Sequence, residues 1–220
     1  MRSLAALTSN SCTPRISEIC TCNSPIALNR MRPREQSVDH FRSKIFDKTI
    51  VIRDMAQQDV ETIVRYWHDG DPTFLNSLGL DASKLVSRAT TRERLLASVQ
   101  GSLRSNRSYF VVADGTELLA YTNLNFRSES EACAHFHVLR RTARVKATMF
   151  VLFPAVITMF FNRFPLERIE MQTLPENSNI GRLLRRFGLS PRRTFLDNPD
   201  SLGRPGELNI WELKRNALPF

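Results

Sequence analysis

The sequence predicts an α+β fold in which a mixed, mostly antiparallel central sheet is flanked by helices, and three observations predict it. Short alternating or β-branched runs and helical stripes follow one another as strand, helices, three strands, helix, strand, helix, two strands. Asp114-Gly115 sits between two apolar runs, and Asp-Gly is the best short-range hairpin signal. A long apolar segment then separates two alternating stretches, 134–139 and 168–174, which makes one parallel crossover.

In chain order, residues 1–45 read as a disordered tail. They are rich in Ser, Thr, Asn, Pro and Arg, hold few acids and show no apolar periodicity. Arg- and Ser-rich, acid-poor composition also describes an organelle transit peptide, and a start codon assigned too far upstream would read alike. The apolar run 4–7 is too short for a secretory signal. Residues 46–220 read as a single domain, long enough for a sizeable core.

The domain opens near Lys48 with a β-branched strand at 49–53, followed by Val60, Ile63, Val64 and Trp67 at helical spacing. Gly70 stops that helix. Asp71-Pro72 starts a second, with Asp as cap and Pro at the first helical position, burying Phe74, Leu75 and Leu78 and ending at Gly79. Thr90-Thr91-Arg92-Glu93 has capping-box spacing and predicts a third helix that buries Leu95, Leu96, Val99 and Leu103. Strands follow at 109–113 and 118–126 around the Asp-Gly turn.

The next strand, 134–139, carries His135 and His137 on one face and Ala134, Phe136 and Val138 on the other. Glu131 falls on the histidine face. Arg140, Arg141, Arg144 and Lys146 lead into a segment, 147–162, with no charged residue. A membrane span needs about twenty apolar residues, so this is a buried helix and no membrane partner is expected. Pro154 should kink it or end its first part. Its apolar surface runs nearly all round, so a sheet must cover one side and a second helix or a partner chain the other; a homodimer would serve. Basic residues at a helix start suit an anion, because amides and helix dipole favour negative charge there. A solvated basic turn is the plainer reading. After the strand at 168–174, Ile180, Leu183, Leu184 and Phe187 form a helical stripe with Arg182, Arg185 and Arg186 outside and Gly188 at the stop. Two strands, 192–196 and 208–213, close the chain.

A net charge of +9 favours an anionic partner, and nucleic acid, a membrane surface or a phosphorylated cofactor would all qualify. Nucleic acid is not expected, because no reading helix, zinc module or aromatic strand platform is recognised. Cys12, Cys20 and Cys22 lie in the tail and Cys133 is alone in the domain, so neither a metal site nor a disulfide framework is expected. The reducing cytoplasm is the expected compartment, with organelle targeting by the tail left open.

From about Thr49 to Leu213 the chain resembles the GNAT superfamily of acyl-CoA N-acyltransferases. Leu174-Pro175-Glu176-Asn177 and then Arg182-Leu183-Leu184-Arg185-Arg186-Phe187-Gly188-Leu189 resemble that family's asparagine and late helix, and Ile52-Arg53 with Asp59 resembles its opening. The resemblance implies an acetyl-CoA site at the splayed centre of the sheet, with pyrophosphate bound by amides at the start of the long helix. Val138, Arg144, Val145, Lys146, Ala147, Thr148 and Asn177 are the cofactor-binding residues it implies. Ala147 and Met149 stand where the family has small residues, and Met149 brings a long side chain to a place normally left bare. Leu184 stands where the family often has an acidic tyrosine.

The implied activity is transfer of an acetyl group from acetyl-CoA to a primary amine. It needs a base for the ammonium proton, and His135 and His137 are the candidates, directly or through water, with Glu131 in reserve. The plainer reading is that they are packed histidines satisfied by backbone carbonyls. Asn177 would contact the pantetheine arm or cap the following helix. The alternative function is a catalytically inactive GNAT-fold module that binds another chain or nucleic acid through its basic surface.

Overall fold

The computed structural model describes residues 41–45, 48–70, 72–101, 106–139, 146–175, 177–196 and 206–218. Most of the expected tail therefore lies outside the described residues. Its last segment does not: β1 (Phe41–Ile45) pairs antiparallel with β2 (Lys48–Asp54), ahead of the expected start. Then come α1 (Gln57–His68), α2 (Pro72–Ser77), α3 (Arg88–Val99), β3 (Arg107–Asp114), β4 (Glu117–Phe126), β5 (Glu131–Val138), α4 (Lys146–Arg163), β6 (Arg168–Thr173), α5 (Ser178–Arg186), β7 (Arg192–Leu196) and β8 (Gly206–Lys214).

The strands form one sheet in the order β1-β2-β3-β4-β5-β6-β8-β7. Every pairing is antiparallel except β5 with β6, where the apolar α4 makes the crossover. Gly115, at φ +58°, supplies the left-handed residue the β3–β4 turn needs. One side of the sheet packs Phe110, Leu124 and Ile169 against Leu152, Phe153, Ile157 and Phe160 of α4. The other packs Val111, Ala113 and Leu118 against Val60, Ile63 and Val64 of α1 and Leu95 of α3. Alternation along β3 and β4 feeds both layers, as a sheet covered on both faces requires.

One interruption of the sheet positions everything that follows. β5 and β6 pair from Glu131 opposite Arg168 to Ala134 opposite Met171, and no further. Beyond that point β5 stays with β4 through Val138, and β6 stays with β8 through Thr173, so the sheet splays into a wedge.

Local expectations met the structure unevenly. α3 starts at Arg88, capped by Ser87, whose Oγ accepts the Thr90 amide at 3.1 Å; the expected box at 90–93 lies inside the helix. Leu103 and Asp71 lie outside the described residues. Pro154 does not end α4, which runs unbroken from Lys146 to Arg163, because buried Leu152, Phe153, Val156 and Ile157 fix the chain on both sides of it. α1 is anchored as its sequence suggests: Arg53 donates to both carboxylate oxygens of Asp59 at 2.6 and 2.9 Å, and Asp59 Oδ2 accepts the Ala56 amide at 2.8 Å. After α2, Gly79 turns with φ +80° so close to Leu174 that a Cβ would lie 2.1 Å from Leu174 Cδ1. The insertion between α1 and α3 thus reaches across the wedge to the end of β6. No helix among the described residues is long and apolar enough to cross a membrane.

Candidate active site

Cross-strand register builds the site. Tyr109 lies opposite Asn123, and Asn123 opposite His135; Tyr121 lies opposite His137. Directly opposed residues share a face of the sheet, so three strands put two tyrosines, an asparagine and both histidines on one surface. α1 adds Tyr66 and Trp67. His137 stacks on Tyr121 at 4.7 Å with 12° between the rings, and meets the Trp67 ring at 5.0 Å. Tyr66 Oη lies 3.4 Å from His137 Nδ1, and Cys133 Sγ lies 3.6 Å from His135 Nε2.

All of these residues except Cys133 line a cavity of about 880 Å³ that passes through the wedge. Its first half is aromatic, with Tyr66, Trp67, Phe74, Tyr109 and Tyr121. Its second half reaches Val138 on the unpaired end of β5, Met149 and Phe150 on α4, and Asn177 and Ile180 at the start of α5. Of the cofactor-binding residues implied by the sequence, Val138 and Asn177 are therefore at the cavity wall. Lys146, Ala147 and Thr148 open α4; Arg144 and Val145 lie outside the described residues. Asn177 occupies the N-cap position of α5, but its side chain makes no capping hydrogen bond. That corrects the capping role and leaves the amide on the cavity side.

Electrostatics qualifies the role expected of the histidines. Burial, and after it the charges of Arg107 and Arg127, draw His135 down to about 4. Burial, and after it His135, draw His137 down to about 3. Both imidazoles are neutral at physiological pH, able to accept a proton but weakly basic. Burial, with Tyr66 and Tyr109 nearby, raises the Tyr121 phenol well above its usual range. Glu131 is held elsewhere, in an ion pair with Arg168 at 2.7 Å at the closed end of the wedge. Leu184 is fully buried and contributes no donor. Among the described residues, no cluster of His, Cys, Asp and Glu could hold a metal ion.

Sequence reasoning missed Tyr66, Tyr109, Tyr121, Asn123 and Arg107. Register could have found Tyr121 and Asn123, which lie opposite His137 and His135 across β4 and β5; Tyr109 comes opposite Asn123 only because a bulge between Val112 and Ala113 shifts the β3–β4 register by one from the one the Asp-Gly turn alone would set.

No curated protein matches the chain. Solved structures with the same fold include ribosomal-protein-S5-alanine acetyltransferase from Vibrio fischeri, at 14% identity and TM-score 0.61, matching 81% of this chain and 98% of that one. Spermidine N-acetyltransferase from Vibrio cholerae, solved with CoA and spermine, matches at 14% identity and TM-score 0.60 over 76% of this chain and 96% of its own. The microcin C7 self-immunity acetyltransferase MccE, solved with acetyl-CoA and AMP, matches at 11% identity and TM-score 0.60 over 76% and 93%. The sequence model of the acetyltransferase (GNAT) domain matches residues 49–190. With the wedge between β5 and β6 and the register around it, that match shows that the chain belongs to the GNAT acetyltransferase family.

Proposed function

We propose that the protein is an N-acetyltransferase that carries an acetyl group from acetyl-CoA to a primary amine within a ternary complex. The observation that carries this reading is a single cavity continuous through the wedge, aromatic on one side and bounded by α4 and α5 on the other. The walls fit the donor. Val138, Met149, Phe150 and Ile180 offer an apolar channel for a pantetheine arm, and the Asn177 side chain, not engaged in capping, is placed to meet its amides. The first amides of α4, at Lys146, Ala147 and Thr148, would take the pyrophosphate, with Arg144 and Val145 preceding them. Bound there, acetyl-CoA supplies an activated acetyl thioester. The amine attacks the thioester carbonyl, the carbon–sulfur bond breaks, and the proton the amine sheds passes to His135 or His137, directly or through water. With Leu184 in place of a donor, the thiolate leaves unprotonated and takes its proton from solvent.

Ala147, Met149 and Leu184 favour a second reading, in which the fold is kept for binding and transfer is lost. The test is to incubate the full chain with acetyl-CoA and a panel of peptides, amino acids and small amines, following free thiol and acetylated product by mass spectrometry. Thiol release matched by product supports transfer. Absence of product across the panel, with acetyl-CoA unchanged, would establish the second reading in its place.

A further inference from the structure

We propose that His137 is the base of the transfer and Tyr66 its positioning residue: the Tyr66 hydroxyl oxygen holds the His137 ring as the Nδ1–H tautomer, which leaves Nε2 to take the proton from the acceptor amine. This rests on the acetyltransferase reading above. The geometry starts at the ring. His137 Nδ1 lies 3.4 Å from Tyr66 Oη, and a catalytic hydrogen bond that is long at rest tightens in the reacting complex. A phenolic oxygen has acceptor lone pairs, so it can take Nδ1–H whatever its own hydrogen does. Nε2 has no hydrogen-bond partner among the described residues, and none of their side-chain nitrogens is both buried and unpaired, so Nε2 is open to the cavity that His137 lines. One nitrogen is held and the other faces the reaction space, the arrangement an oriented base requires.

The surroundings separate His137 from His135. β5 and β6 pair only as far as Ala134, so His137 stands further along the open side of the wedge than His135 does. His135 turns Nε2 toward Cys133 Sγ, 3.6 Å away, and Cys133 lies opposite Glu170 in the closed part. The charges of Arg107 and Arg127 oppose a proton on His135. His137 sits instead among rings: Tyr121 stacks on it with centroids 4.7 Å apart, and Tyr66 and Trp67 of α1 meet it at a steep angle at 5.7 and 5.0 Å. An aromatic face attracts a cation, so the Tyr121 ring favours the imidazolium that forms. Burial and His135 work against that charge, and the Nδ1–H bond to Oη, stronger from a charged donor, offsets part of the cost. A strong base is not required. Once the amine nitrogen bonds the thioester carbon it becomes acidic; the electron pair of its N–H bond stays on nitrogen, the proton goes to Nε2, and Nδ1–H stays where it is.

The experiment pairs nitrogen NMR of the full chain, labelled at histidine, with steady-state acetylation of the amines in the panel above. His137 is expected as the Nδ1–H tautomer. Tyr66→Phe, which keeps a ring against Trp67, Phe74 and Tyr121, should turn it toward the Nε2–H tautomer that a free imidazole side chain prefers. The same variant should lower kcat about tenfold, the scale of one charge-assisted hydrogen bond, with KM unchanged. His137→Gln should cost about a hundredfold or more, and adding Tyr66→Phe to it should cost nothing further, because Tyr66 acts through His137. If His137→Gln does not fold, the tautomer and the kcat of Tyr66→Phe decide. An Nε2–H tautomer in the unaltered chain, an unchanged kcat in Tyr66→Phe, or losses that add in the double variant would each overturn the inference and leave the acetyltransferase reading standing. No product from any amine would overturn that reading, and the base role with it.

Discussion

His137 is held neutral by burial among the rings of Tyr66, Trp67 and Tyr121, and His135 by burial with the charges of Arg107 and Arg127 near it. A histidine whose folded pKa lies below its unfolded value adds stability above the unfolded value and loses it as pH falls. The window runs from 6.5 down to about 4 for His135 and about 3 for His137. Thermal melts between about pH 7.5 and about pH 4.5 should therefore show a fall in Tm that is smaller in His137→Gln, the contribution being on the order of a few kcal/mol. Identical slopes would contradict the buried, neutral assignment. In the rate, the rising limb should follow the ammonium of the acceptor, and His135→Gln or His137→Gln should lower the rate about a hundredfold or more for whichever residue takes the proton, without moving the limb. Asp59 tests a different role. It pairs with Arg53 at 4% side-chain exposure and caps α1, so Asp59→Ala should cost about 3 to 5 kcal/mol in a denaturant titration. The histidines could be picked out from their two-residue spacing, but not their basicity, because the rings around His137 come from α1 and β4 and one of the charges near His135 comes from Arg107 on β3, all distant in sequence.

At the scale of elements, the insertion and the start of α4 carry the sharpest expectations. Gly79 holds a left-handed conformation against Leu174, so Gly79→Ala should destabilise the chain by about 1 to 3 kcal/mol and loosen the roof over the aromatic half of the cavity. Met149 lines the cavity from the first turns of α4, so Ala147→Gly with Met149→Gly should tighten acetyl-CoA binding in calorimetry while lowering stability by about 1 kcal/mol for each glycine. Unimproved binding would remove Met149 from the donor wall. Elements with strong local signals could be read from the sequence: the Asp-Gly hairpin, the α1 stripe and the Gly188 stop, which sits at φ +74°. Ser87 caps α3 although Thr90 and Glu93, three residues further on, spell the fuller capping motif. Pro154 misled because a local rule against proline in helices yields when packing on both sides holds the helix.

For the whole molecule, the order of elements was enough to give the sheet its class and its one parallel crossover. The wedge was not readable from residues, since it depends on where β5 stops pairing with β6, and the sequences of both strands continue past that point without a break. Resemblance placed the donor there, and the cavity through the wedge gives that placement its physical content. The most direct test is a thermal shift of the full chain with acetyl-CoA. A ligand that binds only the native state must raise Tm, by an amount worth about 2.7 kcal/mol at a hundred times its Kd. The expected result is a saturable rise that Asn177→Leu and Val138→Trp both reduce. A Tm unmoved by millimolar acetyl-CoA would contradict a donor site in the wedge.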